Sequence, residues 1–308
     1  MFKIDFRNRM FPRFCRRPLF GVWLAGLFFC GVWCGCSDTR SSRLSVAVTI
    51  PPLQKWAEQL SGGRVDVVCA VPDGGNPESY DLPPSAMVEL SRCRLYFSCG
   101  YLGFERTWLD RLADNNPDLR VVNLSEGLPL IYGSHHHHAE AGHSHASDEP
   151  FPDPHIWCSP RLARHIVTAM YQALVEVDSA GAPFYAERYR HLDRELAQLD
   201  STLAARLLPL QGKAFAVYHP TLSYWAAEYG LRQLALEPDG KSPSPQYLRA
   251  MVDSARSAGV EVVFIQQEFD QRQAATFARE VGCRTEVINP LAYDWNEEIM
   301  RITNAFTR

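Results

Sequence analysis

The sequence predicts an α/β protein of two lobes, each a mostly parallel four-stranded sheet with flanking helices, joined by one long α-helix. Two observations lead to this prediction. Short apolar runs alternate with segments of helical apolar spacing, and this layout occurs in two similar blocks. Between the blocks, apolar residues recur every three or four positions from Tyr185 to Leu207 without interruption. Such alternation is typical of parallel sheets with helices on both faces.

The elements of the two blocks follow from the apolar periodicity. In the first block we expect strands over 44–50, 64–71, 94–98 and 120–124, with helices over 53–60, 84–92 and 104–113. In the second block we expect strands over 214–218, 231–236, 260–266 and 284–288, with helices over 222–229, 246–258 and 272–281. The polar, Gly- and Pro-rich segments between these elements predict loops.

Two helices link the blocks. Ser159 and Pro160 predict a helix start, with serine as the N-cap and proline at the first position. That helix should end near Val177. A second helix of about 25 residues, roughly 37 Å long, follows and ends near Leu207. We therefore assign 43–158 to an N-terminal lobe, 159–209 to the linking helices and 210–308 to a C-terminal lobe.

Residues 1–36 have the pattern of a lipoprotein signal peptide. A basic start is followed by an almost wholly apolar stretch that ends at Cys36, and polar residues come next. We expect export and lipidation of Cys36, although Trp33 is an unusual residue at that distance from the cysteine. Cys34 and Cys30 are weaker candidates. An uncleaved membrane anchor is the alternative, since about 18 apolar residues are close to the minimum for a span.

The charge of the chain argues against one class of partner. The first 36 residues contain six basic side chains and one acidic side chain, so their removal changes the net charge from −4 to −9. A negative chain without a basic stripe is a poor nucleic-acid binder, and we expect no nucleic-acid partner. A negative surface does raise the local concentration of cations.

A histidine-rich segment predicts metal handling. Six of the ten histidines lie between positions 135 and 145, within a polar loop over 133–150 that is too poor in apolar residues to pack. Imidazole is a good ligand for zinc and similar ions. We expect weak accessory metal capture by His135, His136, His137, His138, His143 and His145. The alternative is a dispensable polar insertion.

Four further polar residues follow predicted strands or the histidine-rich loop. They are Glu78, His155, His219 and Asn289, two from each block. Ligands of open α/β sheets gather outside the carboxyl ends of the strands, so these side chains predict a metal site between the lobes. Two imidazoles and a carboxylate form a zinc shell that needs one more ligand or a water. Taken singly, Glu78 could be a solvated loop carboxylate and His219 a packed strand-end histidine.

These segments resemble those of a known family, the cluster A-I metal-binding receptors of bacterial ABC importers for zinc and manganese. The resemblance covers 43–308 and includes GGNPESYDLPPS, the histidine-rich loop, DPHIWCSP, VYHPTLSYWAAEYGL and VINPLAYDW in the family's order. It implies two α/β lobes joined by one long helix. It also implies that His155 and His219 are the family's second and third histidine ligands.

Two positions depart from the family's commoner pattern. Glu78 stands where many members have histidine, and Asn289 stands where many have aspartate before a proline. The harder carboxylate of Glu78 could shift preference toward manganese or iron. A water or Glu268 could complete the site in place of Asn289. The histidine-rich loop favours zinc, because the family's zinc members commonly have such a loop.

The resemblance implies an exported receptor, and not an enzyme, that captures Zn²⁺ and delivers it to the membrane permease of an ABC importer. We expect a monomer held at the membrane by its lipid anchor. Two alternatives within the metal-binding class are a receptor for Mn²⁺ or Fe²⁺ and an adhesin or storage lipoprotein. A zinc-dependent hydrolase is the enzymatic alternative. It requires a general base near the zinc-bound water and a pocket for an organic substrate. Glu268 and Asp294 are candidates for the base, but no motif places them there.

Overall fold

The structure, a computed structural model, describes residues 43–132, 151–237 and 243–308. Residues 41–308 form one compact unit. The predicted signal peptide with Cys36 and the six histidines of the loop over 133–150 lie outside the described residues. The boundaries that we assign between the lobes and the linking helices stay predictions.

The first sheet is parallel and has the strand order β2-β1-β3-β4. The central strand β3 is wholly buried, whereas the edge strand β4 is largely exposed. A buried apolar run at the centre of the sheet is the usual pattern of a parallel sheet covered on both faces. The elements of this part are β1 (Ser45–Val48), α1 (Pro51–Ser61), β2 (Asp66–Cys69), α2 (Pro84–Leu90), β3 (Leu95–Ser98), α3 (Gly103–Asn115) and β4 (Arg120–Asn123).

Two long helices follow. In α4 (Pro160–Val177), Ser159 is the N-cap and its hydroxyl accepts a hydrogen bond from Leu162 N. The 26 residues of α5 (Ala182–Leu207) bury one stripe, which consists of Tyr185, Leu192, Leu196, Leu199, Leu203 and Leu207. This helix packs against α4 and also against α1 of the first sheet.

The second sheet repeats the first, with all strands parallel and the order β6-β5-β7-β8. Its central strands are wholly buried. The elements are β5 (Ala214–Val217), α6 (Ser223–Glu228), β6 (Arg232–Ala235), α7 (Pro245–Ser257), β7 (Val262–Gln266), α8 (Gln271–Val281), β8 (Arg284–Ile288) and α9 (Trp295–Phe306). The predicted fold class is confirmed: there are two four-stranded parallel sheets with flanking helices, and one long helix joins them.

The last helix, α9, is the element that our sequence analysis leaves unassigned. Its buried residues Trp295, Ile299 and Ile302 have helical spacing, so the signal is present in the sequence. This helix packs against α5. The ring of Trp295 meets that of Trp56 on α1 edge-on, with 5.2 Å between the ring centroids.

The two halves share one hydrophobic core. Buried residues of α1, α4 and α5 form a single apolar cluster with residues of both sheets, including Val46 and Phe215. Because this core is continuous, relative movement of the halves would expose apolar surface to water, at about 25 cal/mol per Å². No helix within the described ranges is both long enough and apolar enough to span a membrane.

Candidate metal centre

Three of the predicted ligands meet at one point between the two sheets. Glu78, His155 and His219 each offer one ligand atom, and these atoms lie within 4.8 Å of one another. The two imidazole rings stand edge to face at 76°, with 5.1 Å between their centroids. His155 is buried and the other two are partly buried. Residues that are far apart in the chain thus present two nitrogens and an oxygen to a common centre.

His155 is oriented by the aspartate two residues before it. Oδ1 of Asp153 lies 2.7 Å from His155 Nδ1 and also accepts the backbone N–H of His155 at 2.9 Å. The backbone oxygen of Asp153 accepts a hydrogen bond of 2.7 Å from the Tyr224 hydroxyl of the second half. The contact at Nδ1 leaves Nε2 as the ring nitrogen available to a metal ion.

His219 follows β5 and is held in the same manner by a carboxylate. Its Nδ1 lies 2.5 Å from Oε2 of Glu237, which follows the neighbouring strand β6. The wholly buried Gln266, at the end of β7, donates to the His219 carbonyl oxygen at 2.6 Å. The ring of Phe269 stacks on the imidazole with 5.1 Å between the centroids. These contacts fix both the plane and the direction of the ring, so that Nε2 is the free nitrogen.

Glu78 reaches the centre from the loop after β2. Its backbone N–H bonds to Oδ1 of Asn76 at 2.9 Å, and its Oε2 accepts the backbone N–H of Gly103 at 3.0 Å. Gly103 is the first residue of α3, whose N-terminal N–H groups have no partner within the helix. The loop satisfies a second of these groups, because Phe104 N donates to the Pro77 carbonyl oxygen at 2.8 Å.

The charges near the centre interact strongly. Burial alone would lower the pKa of His155, but its attraction to Asp153, with smaller contributions from Glu78 and Glu268, raises it above the ordinary value. Burial alone would likewise raise the pKa of Asp153, but the interaction with His155 outweighs burial and lowers this pKa below its ordinary value. The pKa of Glu268 is raised by burial, against the opposing effect of the two histidines. The surroundings therefore place several carboxylates within reach of a cation.

The cavity at this point has a volume of about 10 Å³, which is room for about one water-sized sphere. Its lining includes Glu78, His155, His219 and Glu268. Asn289 does not line it, and Asn289 Oδ1 accepts a hydrogen bond of 3.1 Å from Leu291 N. The structure thus brings Glu268 to the cavity and keeps the Asn289 side chain in its own turn.

Two polar atoms of the group lack a hydrogen-bond partner although they are buried: Glu78 Oε1 and His219 Nε2. A buried polar atom without a partner costs about 1–3 kcal/mol, so such atoms indicate a binding partner from outside the chain. Two imidazole nitrogens and one carboxylate oxygen match the donors that zinc takes in proteins. The residues present therefore fit a divalent transition-metal ion.

Our sequence analysis misses four residues that hold the predicted ligands in place. They are Asp153, Glu237, Gln266 and Gly103. A signal for Glu237 was available, because Glu237 follows β6 by two residues just as His219 follows the neighbouring strand β5. Asp153 stands within DPHIW, two positions from a predicted ligand. A carboxylate that accepts a hydrogen bond from a ligating imidazole is a recurring feature of metal sites.

Comparison with known proteins adds independent findings. Residues 46–301 match the sequence profile of the family described as zinc-uptake complex component A, periplasmic (ZnuA). The chain is 27% identical to the high-affinity zinc uptake system protein ZnuA of Bacillus subtilis over 263 residues, which are 83% of this chain and 81% of that protein. It is 25% identical to the zinc-binding lipoprotein AdcA of Streptococcus pneumoniae, with 87% of this chain and 54% of that protein covered.

A solved structure gives the same relationship. The crystal structure of ZnuA superposes with a TM-score of 0.77 at 29% sequence identity, and the match covers 86% of this chain and 98% of that chain. The pairs of parallel sheets and the joining helix described above agree with this similarity.

Proposed function

Because the chain belongs to the zinc-uptake complex component A family, we propose that it is a metal receptor that binds Zn²⁺ outside the cytoplasm and delivers it to an ABC importer. The metal is its cargo. The observation that carries this proposal is the convergence of Glu78, His155 and His219, whose ligand atoms lie within 4.8 Å of one another. The unpartnered buried atoms Glu78 Oε1 and His219 Nε2 support a bound ion rather than a structural hydrogen-bond network.

Glu78, His155 and His219 are the proposed protein ligands, and Glu268 or a water completes the shell. Asn289 is not in the proposed ligand set, because its oxygen is engaged by Leu291 N and it does not line the cavity. Asp153 and Glu237 would act on the ion only through the imidazoles that they orient.

The names of the matching relatives favour transport over catalysis. The family profile describes a component of zinc uptake, and the Bacillus subtilis relative is named as part of a zinc uptake system. A zinc-dependent hydrolase also needs space for an organic substrate beside the ion. The cavity of about 10 Å³ argues against such a substrate.

We extend the proposal to the position of the receptor in the cell. The chain would be exported by its first 36 residues, anchored by a lipid on Cys36 and active as a monomer against a membrane permease. The AdcA relative is named a lipoprotein, which supports the anchor. The histidines between 135 and 145 would collect zinc weakly and raise its concentration near the ordered site.

Calorimetric titration of the metal-free chain with Zn²⁺ tests the proposal. His155→Ala and His219→Ala should each lose tight binding, since each removes one of three protein ligands. His191→Ala is the matched control, because His191 lies on α5 with its side chain 67% exposed. A chain without residues 133–150 should keep the tight site and lose only weak binding. Full tight binding in both ligand variants would refute the assignment of the site.

A further inference from the structure

Resting on this proposed function, we propose that the first turn of α3 is a selectivity clamp that limits Glu78 to one metal-binding oxygen. The clamp consists of Gly103, whose N–H holds Glu78 Oε2, and Glu105, which fixes the loop before Gly103. Oε2 already accepts a hydrogen bond from the helix, whereas Oε1 is buried without a partner and therefore gains most from binding the ion. A single carboxylate oxygen favours four-coordinate zinc over ions that need more ligands.

The contact between Glu78 and α3 is close enough to determine the residue at position 103. A Cβ added to Gly103 would lie 2.2 Å from the Glu78 carbonyl oxygen, so only glycine permits this approach. The approach allows Gly103 N to reach Glu78 Oε2 at 3.0 Å. The positive end of the helix dipole further favours the negative carboxylate at this position.

Glu105 fixes the segment that presents Gly103. It is only 2% exposed, and both of its oxygens accept hydrogen bonds. Oε1 accepts from the Thr49 hydroxyl at 2.5 Å and from Cys99 N at 2.6 Å. Oε2 accepts from Gly100 N at 2.7 Å and from Leu102 N at 3.4 Å. A buried carboxylate with this many partners holds the backbone from Cys99 to Gly103 in one conformation.

The two oxygens of Glu78 have different surroundings. Oε2 has the Gly103 donor, whereas Oε1 is buried without any partner. A bidentate carboxylate would have to share Oε2 between the ion and the Gly103 N–H, which weakens that hydrogen bond, whereas binding through Oε1 alone keeps it intact. The geometry therefore favours one oxygen.

The size of the cavity favours the same ion. Zinc sites in proteins are almost always four-coordinate. Manganese and related hard ions prefer about six ligands, mostly oxygens and water. A cavity of about 10 Å³ holds about one water-sized sphere, so a bound ion fills most of it and leaves no space for several waters. Two imidazoles, one carboxylate oxygen and one further ligand give an ion four ligands. Six ligands are reached only if Glu78 and the surrounding loops rearrange.

X-ray absorption at the zinc edge, on the full zinc-loaded chain, tests the clamp without a mutation. The expected spectrum has four nitrogen or oxygen ligands at about 2.0–2.1 Å, two of them imidazoles, and no second carboxylate oxygen. Five or six ligands with a bidentate carboxylate would overturn the clamp. If His155→Ala and His219→Ala still abolish tight binding in that case, the proposed function stands and only the clamp fails.

Glu105→Gln tests the link from the loop to selectivity. The amide nitrogen of glutamine would face backbone N–H groups, so the loop before Gly103 should loosen and release Glu78 Oε2. We expect the ratio of the Zn²⁺ to the Mn²⁺ binding constant, measured by competition titration, to fall at least about tenfold. Glu261→Gln is the matched control, because it makes the same change at a side chain that is 72% exposed and should leave the ratio unchanged. An unchanged ratio in folded Glu105→Gln would overturn the proposed role of Glu105.

Discussion

The Glu237 carboxylate, which contacts the His219 imidazole, leads to a quantitative prediction on zinc affinity. Glu237 Oε2 lies 2.5 Å from His219 Nδ1, and His219 Nε2 is buried without a partner. The substitution Glu237→Gln keeps the length of the side chain and an acceptor oxygen but removes the charge. The imidazole should then be a weaker donor to zinc and less firmly oriented, because the hydrogen bond at Nδ1 is no longer charge-assisted.

The magnitude follows from the type of hydrogen bond. Bonds to a charged group contribute about 1.5–3 kcal/mol, against about 0.5–1.5 kcal/mol for neutral ones, so the change costs roughly 1–2 kcal/mol. With tenfold in affinity for every 1.4 kcal/mol, this corresponds to a loss of roughly 5- to 30-fold. Losses of about 10- to 100-fold are usual when a carboxylate behind a metal ligand is changed. We therefore expect zinc binding that is weaker by about 10- to 30-fold.

Titration with Zn²⁺ in competition with a chelator of known affinity measures this loss at pH 7. The control is Glu261→Gln, since the Glu261 side chain is 72% exposed and its contact is a surface pair with Lys213. The control should bind as tightly as the wild type. A change of less than about twofold in Glu237→Gln, or an equal loss in the control, would refute the view that Glu237 acts through His219.

Three further predictions concern pH and stability. Zinc binds neutral imidazole, and the pKa of His155 is raised above 6.5, so zinc affinity should begin to fall while the pH is still above 6.5 as the solution is acidified. Asp153→Asn removes the main group that raises this pKa. In titrations between pH 5.5 and 8, this variant should therefore lose affinity at a lower pH than the wild type. Burial raises the pKa of the Glu228 carboxyl above 4.5, so the zinc-free wild type should lose stability relative to Glu228→Gln as pH rises through neutrality. Parallel thermal melts of both proteins at pH 5 and pH 8 test this. The same difference in Tm between the two proteins at both pH values would contradict it. Zinc at about 100 times its Kd should stabilise the wild type by about 2.7 kcal/mol and raise Tm by roughly 5–10 °C, an effect that a chelator reverses and that His219→Ala should lack.

The fold could be predicted from the sequence because two separate signals agree. The buried runs that became β3, β5 and β7 are continuous apolar segments, and the stripe on α5 has helical spacing over its whole length. The order of the strands within each sheet was not available from these patterns. Strand order depends on which neighbours the connecting helices can reach, and local periodicity does not record that.

A local hydrogen bond, and not strand order, keeps the side chain of one predicted ligand, Asn289, from the centre. In the sheet β6-β5-β7-β8, β8 is two strands away from β5. At about 4.8 Å between neighbours, the end of β8 lies roughly 10 Å from that of β5. Pro290 and Leu291, which follow this same strand, nevertheless line the cavity, so the distance of β8 does not exclude Asn289. The hydrogen bond from Leu291 N to Asn289 Oδ1 holds that side chain in its turn, whereas Glu268 and Glu237 follow the two strands that flank β5.

Glu78 illustrates a second limit of sequence analysis. Its place beside the centre depends on the close packing of its loop against Gly103, at the start of α3. Neither residue belongs to a periodic pattern, and the contact joins segments 25 residues apart. Such a contact is set by tertiary packing, so the sequence could indicate Glu78 as a ligand but not which of its oxygens is free.

A crystal structure of the chain grown with Zn²⁺, with anomalous data collected at the zinc edge, tests the central claim most directly. We predict one strong peak between the two halves, about 2.0–2.1 Å from Nε2 of His155 and of His219 and about 2.0–2.2 Å from Glu78 Oε1. Zinc bound elsewhere, with the two imidazoles turned away from each other and sharing no ion, would contradict the account.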